Sequence, residues 1–225
     1  MRTRALRITS GLGGVVAVVA ITPSLGFAQD YVPTAQDNLN NLWLFLAGVL
    51  VFFMQAGFAF LEAGLTRAKN VANIMAKNIA DATIGVLAFF ATGYAFAYGG
   101  DGWFIGTEAF FLSGGDAFGI GEEGALSLST DFFFQAVFAA TAVTIASGAM
   151  AERTKFTAYL AFSAVMCAFI YPVVVHWTWG GGLIADIQIG DAVFSDFAGS
   201  GIVHMTGGVA AFMGAAFLGP RIGKY

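Results

Sequence analysis

The most informative part of the sequence consists of YPVVVHWTWGGG at Tyr171–Gly182 and DFAGSGIVHMTGG at Asp196–Gly208. It contains both histidines of the chain and an aspartate placed where an apolar helix begins. His204 follows Asp196 by eight residues. On a regular α-helix its ring therefore lies roughly 12 Å further along, on nearly the same face. The pattern predicts a membrane helix with an acidic group at its start and a titratable ring near mid-membrane.

The composition of the chain is typical of a membrane protein. Hydrophobic residues make up 58% of it, charged residues 11%, and the mean hydropathy is +0.77. These values exclude a soluble domain, and the apolar runs are long enough to cross a bilayer. The single cysteine, Cys167, excludes a disulfide framework and a cysteine metal site. We therefore expect an all-α polytopic membrane protein with no cofactor and no nucleic-acid partner.

Residues 1–28 are predicted to be a signal peptide. They begin with Arg2, Arg4 and Arg7, continue with the apolar run Gly11–Ile21, and end in small residues at Ala28. Cleavage after Ala28 would leave residues 29–225 as the mature chain. A retained first helix is the alternative.

Five apolar segments follow, each near the ~20 residues that cross the hydrocarbon core. They cover about 41–63, 78–99, 131–151, 156–178 and 199–219. Lysine and arginine occur after the first, third and fifth segments and at the start of the second, whereas the other two loops are acidic. By the positive-inside rule the N-terminus lies outside and the C-terminus of this chain is cytoplasmic. The chain is thus expected to be a multi-pass protein of the cell (inner) membrane.

Two acidic residues near helix ends are interpreted as members of ion pairs at the membrane interface. Glu152 directly precedes Arg153, and Asp81 lies four residues after Lys77, a spacing that brings side chains together on a helix. We give both acids a structural role.

Histidine inside an apolar helix is costly unless it faces a partner or a cavity. His204 either bonds a neighbouring helix or lines a conduction path, and we favour the path. His176, nearer to the end of its helix, is interpreted as structural. Asp196 is predicted to cap the fifth helix with its carboxylate, a role that can coexist with an electrostatic one.

Several aromatic residues are candidates for a binding wall. Trp179 precedes a run of three glycines and is well placed to face a vestibule, where an indole ring attracts a small cation. An aromatic pair below it could close a dry constriction. The alternative for Phe132, Phe133, Phe134 and Phe138 is that they face lipid.

These segments together resemble the Amt/MEP/Rh ammonium transporter family, on its Amt side. The resemblance is carried in order by Arg67–Asn70, Phe134-Gln135 with Phe138, Gly148–Arg153 with Phe156, Tyr171-Pro with His176 and Trp179–Gly182, and Asp196–His204. It implies a fold of eleven helices built from two inverted five-helix repeats plus one helix. This chain would be the N-terminal half of that fold.

The resemblance also implies a function: capture of ammonium at an outer site and conduction of ammonia, with or without its proton, through a histidine-lined pore. It implies roles for six residues: Trp179, Phe134, Asp196 and Tyr171 at the substrate-binding site, Phe138 at the pore gate, and His204 along the pore. The implied partners are ammonium or ammonia, the lipid bilayer, two further copies in a homotrimer, and a cytoplasmic PII-type regulatory protein. The alternative is an ammonium-sensing module fused to a cytoplasmic signalling domain.

Overall fold

The computed structural model describes residues 33–114 and 126–223, so the predicted signal peptide lies outside the described residues. Within them, five helices are long and apolar enough to span a membrane. They are α1 (Ala35–Leu65), α2 (Ala68–Tyr98), α3 (Leu128–Ala149), α4 (Phe156–Thr178) and α5 (Ser200–Leu218). A small antiparallel hairpin of β1 (Gln188–Ile189) and β2 (Ala192–Val193) lies between α4 and α5. The prediction of a helical membrane protein with five spans is confirmed.

Polar capping residues extend the helices beyond their apolar segments. Thr34 and Asp37 form a capping box at the start of α1. The backbone N–H of Thr34 donates to the carboxylate of Asp37 at 2.8 Å, and the backbone N–H of Asp37 donates to the hydroxyl of Thr34 at 3.2 Å. Ser127 caps α3 by accepting from the backbone N–H of Thr130. Such residues satisfy amides that the first turn leaves unpaired. The helices therefore begin earlier than hydropathy alone predicts.

Three of the five helices contain π-helical turns. They lie at Asp81–Gly85 and Phe89–Gly93 in α2, at Met166–Ile170 in α4 and at Ser200–Met205 in α5. A π turn carries one more residue than an α turn. Side chains beyond it are rotated relative to the positions that a regular helix would give them.

Helix α3 lies at the centre of the bundle and contacts each of the other four helices. Its buried face consists largely of small residues, among them Ala139, Ala142 and Ala146. Gly207 of α5 packs against it so closely that an added Cβ would lie 2.6 Å from the carbonyl oxygen of Ala142. Close backbone approach of this kind is how helices associate in lipid.

The connecting segments form two ends of the bundle. We call residues 99–114 and 179–199 the acidic end, and residues 66–70, 150–155 and 219–223 the basic end. At the acidic end the buried ring of His176 contacts the carbonyl oxygens of Ala97, at 2.9 Å, and of Gly102. These contacts fasten the segment after α2 to α4, so the structural interpretation of His176 is confirmed.

At the basic end Glu152 joins three separate segments. Its carboxylate accepts from the backbone N–H and Nε of Arg67, both at 2.9 Å, from Asn70 at 2.8 Å and from Arg221 at 3.4 Å. The expected pair with Arg153 is wrong, because Arg153 donates to two backbone carbonyls instead. The hydrogen bonds from the backbone and side chain of Arg67, followed by that from Asn70, hold the pKa of Glu152 at about 2.

Candidate functional site

The site begins with Asp196, whose carboxylate closes the start of α5. Its two oxygens accept four backbone N–H groups at 2.8 to 2.9 Å, those of Gly199, Ser200, Gly201 and Ile202. Asp196 stands three residues before Gly199, the residue that precedes the first turn. The predicted capping role is confirmed, and the carboxylate uses about four acceptor positions, which is its full capacity.

Gly199 is a part of this arrangement that the sequence analysis did not single out. Its φ of 83° lies in the left-handed region, which favours glycine. An added Cβ would also lie 2.7 Å from Cγ2 of Val203 and 3.3 Å from the ring of Trp179. The sequence feature that could have indicated its role is the position of a glycine directly before an apolar helix.

Trp179 and two phenylalanines form a continuous aromatic row beside Asp196. The rings of Phe134 and Phe138 lie 4.9 Å apart at 80°, and those of Phe138 and Trp179 lie 6.3 Å apart at 69°. The Nε1–H of Trp179 donates to the backbone carbonyl of Asp196 at 2.6 Å. Four of the six predicted site residues therefore adjoin one another.

A cavity of about 140 Å³ opens beside this row. It is lined by Thr178, Trp179, Ala185, Phe194, Ser195 and Asp196. Since a water molecule occupies roughly 30 Å³ in the liquid, the cavity has room for a few molecules of that size. The loop residues of the lining were not predicted, because loop geometry cannot be obtained from hydropathy.

His204 lies in the π-helical turn of α5 and on an exposed side of the described bundle. Its backbone N–H bonds to the carbonyl of Gly199 at 3.1 Å, and its Nδ1 lies 3.4 Å from the same oxygen. Because the helix begins at Ser200 and not at Asp196, the helical rise covers only four residues, or roughly 6 Å. The expectation that Asp196 and His204 stand two regular turns apart is wrong.

Tyr171 lies apart from the cavity and is fully buried at the start of the last turns of α4. Its ring is tilted against that of Phe89 at 6.4 Å, and its hydroxyl has no hydrogen-bond partner among the described residues. The substrate-binding role of Tyr171 stays a prediction.

The described part of the chain contains no group of three or more His, Cys, Asp or Glu residues that could hold a metal ion.

Comparison with known proteins shows which family the chain is similar to. Residues 42–225 match the model of the Ammonium Transporter Family. The chain is 45% identical over 222 residues to Ammonium transporter Amt2 of Archaeoglobus fulgidus, covering 94% of this chain and 46% of that protein. It is 43% identical to Ammonium transporter 1 member 3 of Solanum lycopersicum, covering 84% of this chain and 40% of that protein.

Solved structures agree with the sequence comparisons. A structure titled Sensor Amt Protein is 38% identical with a TM-score of 0.72, covering 84% of this chain and 46% of that one. Mep2 of Candida albicans is 26% identical with a TM-score of 0.69, covering 84% of this chain and 40% of that one. The chain thus spans less than half the length of these proteins. It belongs to the ammonium transporter family.

Proposed function

We propose that the full-length protein carries ammonium across the cell membrane, with its acidic end outside. The observation that carries this proposal is the aromatic row of Trp179, Phe138 and Phe134 beside Asp196, at the head of the helix that bears His204. The names of the relatives support ammonium as the substrate.

Capture rests on cation–π attraction. A cation over the face of an aromatic ring gains roughly 0.5 to 2 kcal/mol, most for tryptophan. Asp196 has both oxygens engaged by backbone amides, so its charge acts through the local field and not by direct coordination. Its backbone carbonyl also holds the ring of Trp179 in place. Phe134 and Tyr171 complete the substrate-binding site in this proposal.

Conduction requires the ion to lose its charge or its water. Moving an ammonium ion into an apolar passage costs far more than weak aromatic contacts return. A solute that leaves its proton at the acidic end and passes the Phe138 gate as ammonia avoids that cost. The imidazole of His204 offers a lone pair and a proton path along the pore.

We also propose the assembly and partners that the family resemblance implies. Large apolar side chains of α1 and α5, such as Trp43 and Phe217, are exposed on the described bundle and suit burial against lipid, the rest of the protein or further copies. A homotrimer uses part of this surface. A PII-type regulatory protein would approach the basic end.

A second candidate function is ammonium sensing. It is favoured by the likeness to the structure titled Sensor Amt Protein, with a TM-score of 0.72. A sensor would bind ammonium and change conformation without carrying a comparable flux. Uptake measured on the full-length protein separates the two functions.

The experiment measures uptake current in proteoliposomes of the full-length protein. Trp179→Leu should weaken the apparent affinity for ammonium about 2- to 30-fold, the equivalent of 0.5 to 2 kcal/mol, and should leave flux at saturation largely intact. Trp103→Leu is the matched control, since Trp103 is 70% exposed in the same end of the bundle. Equal affinities in the two variants would remove Trp179 from the capture site. His204→Ala should reduce flux itself.

A further inference from the structure

A second group of polar side chains is buried between α1, α2, α3 and α4, away from the aromatic row. Each of its members is at most 7% exposed. They are Gln55, Glu62, Lys77, Asn78, Asp81, Thr144, Ser147, Tyr159 and Ser163. We call this group the buried polar cluster. Ionisable side chains inside a membrane domain indicate a functional site unless a simpler role explains them.

The cluster contradicts the interfacial pair expected for Asp81 and Lys77. Both side chains are fully buried, and no carboxylate oxygen of the described residues lies within ion-pairing distance of Lys77 Nζ. That nitrogen has no hydrogen-bond partner in the described residues and lies 4.6 Å from the ring centre of Tyr159. The charged groups that face it are Glu62, Asp81 and, from the basic end, Arg221.

The two carboxyl groups of the cluster are bonded differently. Glu62 receives one donor on each oxygen, from Asn78 Nδ2 at 3.2 Å and from Ser147 Oγ at 2.8 Å, which suits an ionised carboxylate. Asp81 receives the hydroxyl of Tyr159 on Oδ2 at 2.7 Å. Its Oδ1 is buried and has no partner among the described residues.

Thr144 links Asp81 to Gln55 through its hydroxyl group. The hydroxyl oxygen lies 2.7 Å from the side-chain amide of Gln55 and 3.1 Å from Asp81 Oδ2, and a hydroxyl has a single hydrogen to donate. Gln55 Nε2 has no partner among the described residues, and the two ends of an amide group are interchangeable in shape. With Nε2 towards Thr144, Gln55 donates to Thr144 and Thr144 donates to Asp81. These contacts are therefore satisfied in either protonation state of Asp81, and the charge of the cluster decides between the two states.

The charge of the cluster indicates one additional proton, and the contacts assign it to Asp81, whose Oδ1 has no partner among the described residues, and not to Glu62, which has a donor on each oxygen. With both carboxyl groups ionised and Lys77 protonated, the cluster would have a net charge of −1 inside the bundle, and an uncompensated buried charge is strongly unfavourable. One proton on Asp81 leaves Glu62 and Lys77 as opposite charges and makes the cluster neutral. Cys167, which faces Asp81 from α4, is uncharged as a thiol and does not alter the count.

We propose that the buried polar cluster is a proton-binding site, in which Asp81 carries the proton while Glu62 and Lys77 remain ionised. The ligand of this site is the proton itself. The proposal goes beyond ammonium transport and does not rest on it, because it follows from the contacts and charges of the cluster alone. Loss of the proton would leave a net charge between four packed helices, so the site ties the protonation of Asp81 to their packing.

Infrared spectroscopy of the full-length protein tests the assignment at neutral pH. A protonated carboxyl group has a C=O stretching band that shifts to lower frequency in D₂O. We expect the wild type to show such a band and Asp81→Asn to lose it. Glu62→Gln and Glu152→Gln should retain it. Asp131→Asn and Asp37→Asn identify any contribution of two further acids that are partly or fully buried, on α3 and α1. A band that survives Asp81→Asn, or that disappears in Glu62→Gln, would overturn the proposal.

A milder pair of variants keeps the test decisive if Asp81→Asn does not fold. Thr144→Val removes the hydroxyl that bonds Asp81 Oδ2 and should raise the frequency of the band, since the carboxyl group loses that hydrogen bond. Thr141→Val is the matched control, because Thr141 is equally buried on the same helix and donates to the carbonyl of Val137 instead. The same frequency in Thr144→Val and in the wild type would contradict the proposal. Neither measurement depends on whether the protein transports ammonium.

Discussion

Replacing Asp196 by asparagine should loosen the start of α5, and the structure gives the size of the effect. The carboxylate accepts four backbone N–H groups, two on each oxygen. Asparagine has one oxygen, and its amide group would face the other two N–H groups with hydrogens of its own. Hydrogen bonds to a charged group contribute roughly 1.5 to 3 kcal/mol each. Because Ser200 is exposed and water can replace part of the loss, we take the lower value and expect a cost of about 3 kcal/mol.

Hydrogen exchange followed by mass spectrometry measures this cost locally. About 3 kcal/mol corresponds to roughly hundredfold faster exchange at the amides of residues 199–202 in the full-length protein. The apparent affinity for ammonium should weaken in parallel, since Trp179 is held by the backbone of Asp196. Because Asp196 supports both the start of α5 and the ring of Trp179, both changes should occur in the Asp196→Asn variant.

Asp191→Asn is the matched control, because it removes the same charge from the same loop. Asp191 is exposed and lies at the tip of the hairpin, away from the start of α5. If Asp196→Asn exchanged at residues 199–202 as slowly as this control, the capping argument would be wrong. Loss of uptake with unchanged exchange would assign Asp196 a purely electrostatic role.

Three further predictions concern topology, pH and packing. In a cysteine-free background, an impermeant thiol reagent should label Ala192→Cys but not Lys69→Cys in intact cells, and the reverse pattern would invert the orientation. Because the pKa of Glu152 is lowered in the folded protein, its ionised carboxylate stabilises the fold above about pH 4.5, and this contribution is lost as the pH falls towards about 2. Glu152→Gln should therefore have a lower melting temperature than the wild type at pH 7, and the two melting temperatures should converge in acid. Gly207→Ala should cost about 1 to 3 kcal/mol by overpacking, whereas Gly208→Ala, with open space around its Cβ, should change stability little; equal losses would contradict the close approach to α3.

The spans could be predicted from the sequence because hydropathy reports burial in lipid residue by residue. The cap at Asp196 could be predicted for a similar reason: a carboxylate before an apolar helix has nearby amides to satisfy. What could not be predicted depends on partners distant in the chain. Glu152 bonds Arg67, which is 85 residues away, and its neighbour Arg153 was a plausible but wrong partner.

The buried polar cluster shows the same limit. Lys77 and Asp81 have the spacing of a surface pair, and nothing in their own helix indicates that three other helices present polar groups to them. The π-helical turns have no sequence signal of their own either. They change which side chains share a face. The spacing of Asp196 and His204 was misjudged because α5 begins at Ser200, so that Asp196 lies outside the helix.

The hydrogen bond from Trp179 Nε1 to the carbonyl of Asp196 joins the two ends of the segment between them. The intervening hairpin, with its tip at Gly190 and Asp191, is exposed. Lengthening a loop whose ends are already fixed costs little, about 0.6 kcal/mol for each doubling. The hairpin tip is therefore a suitable place to insert a fluorescent protein. The insertion would lie eleven residues after Trp179 and five residues before Asp196 and could report on occupancy of the cavity in living cells.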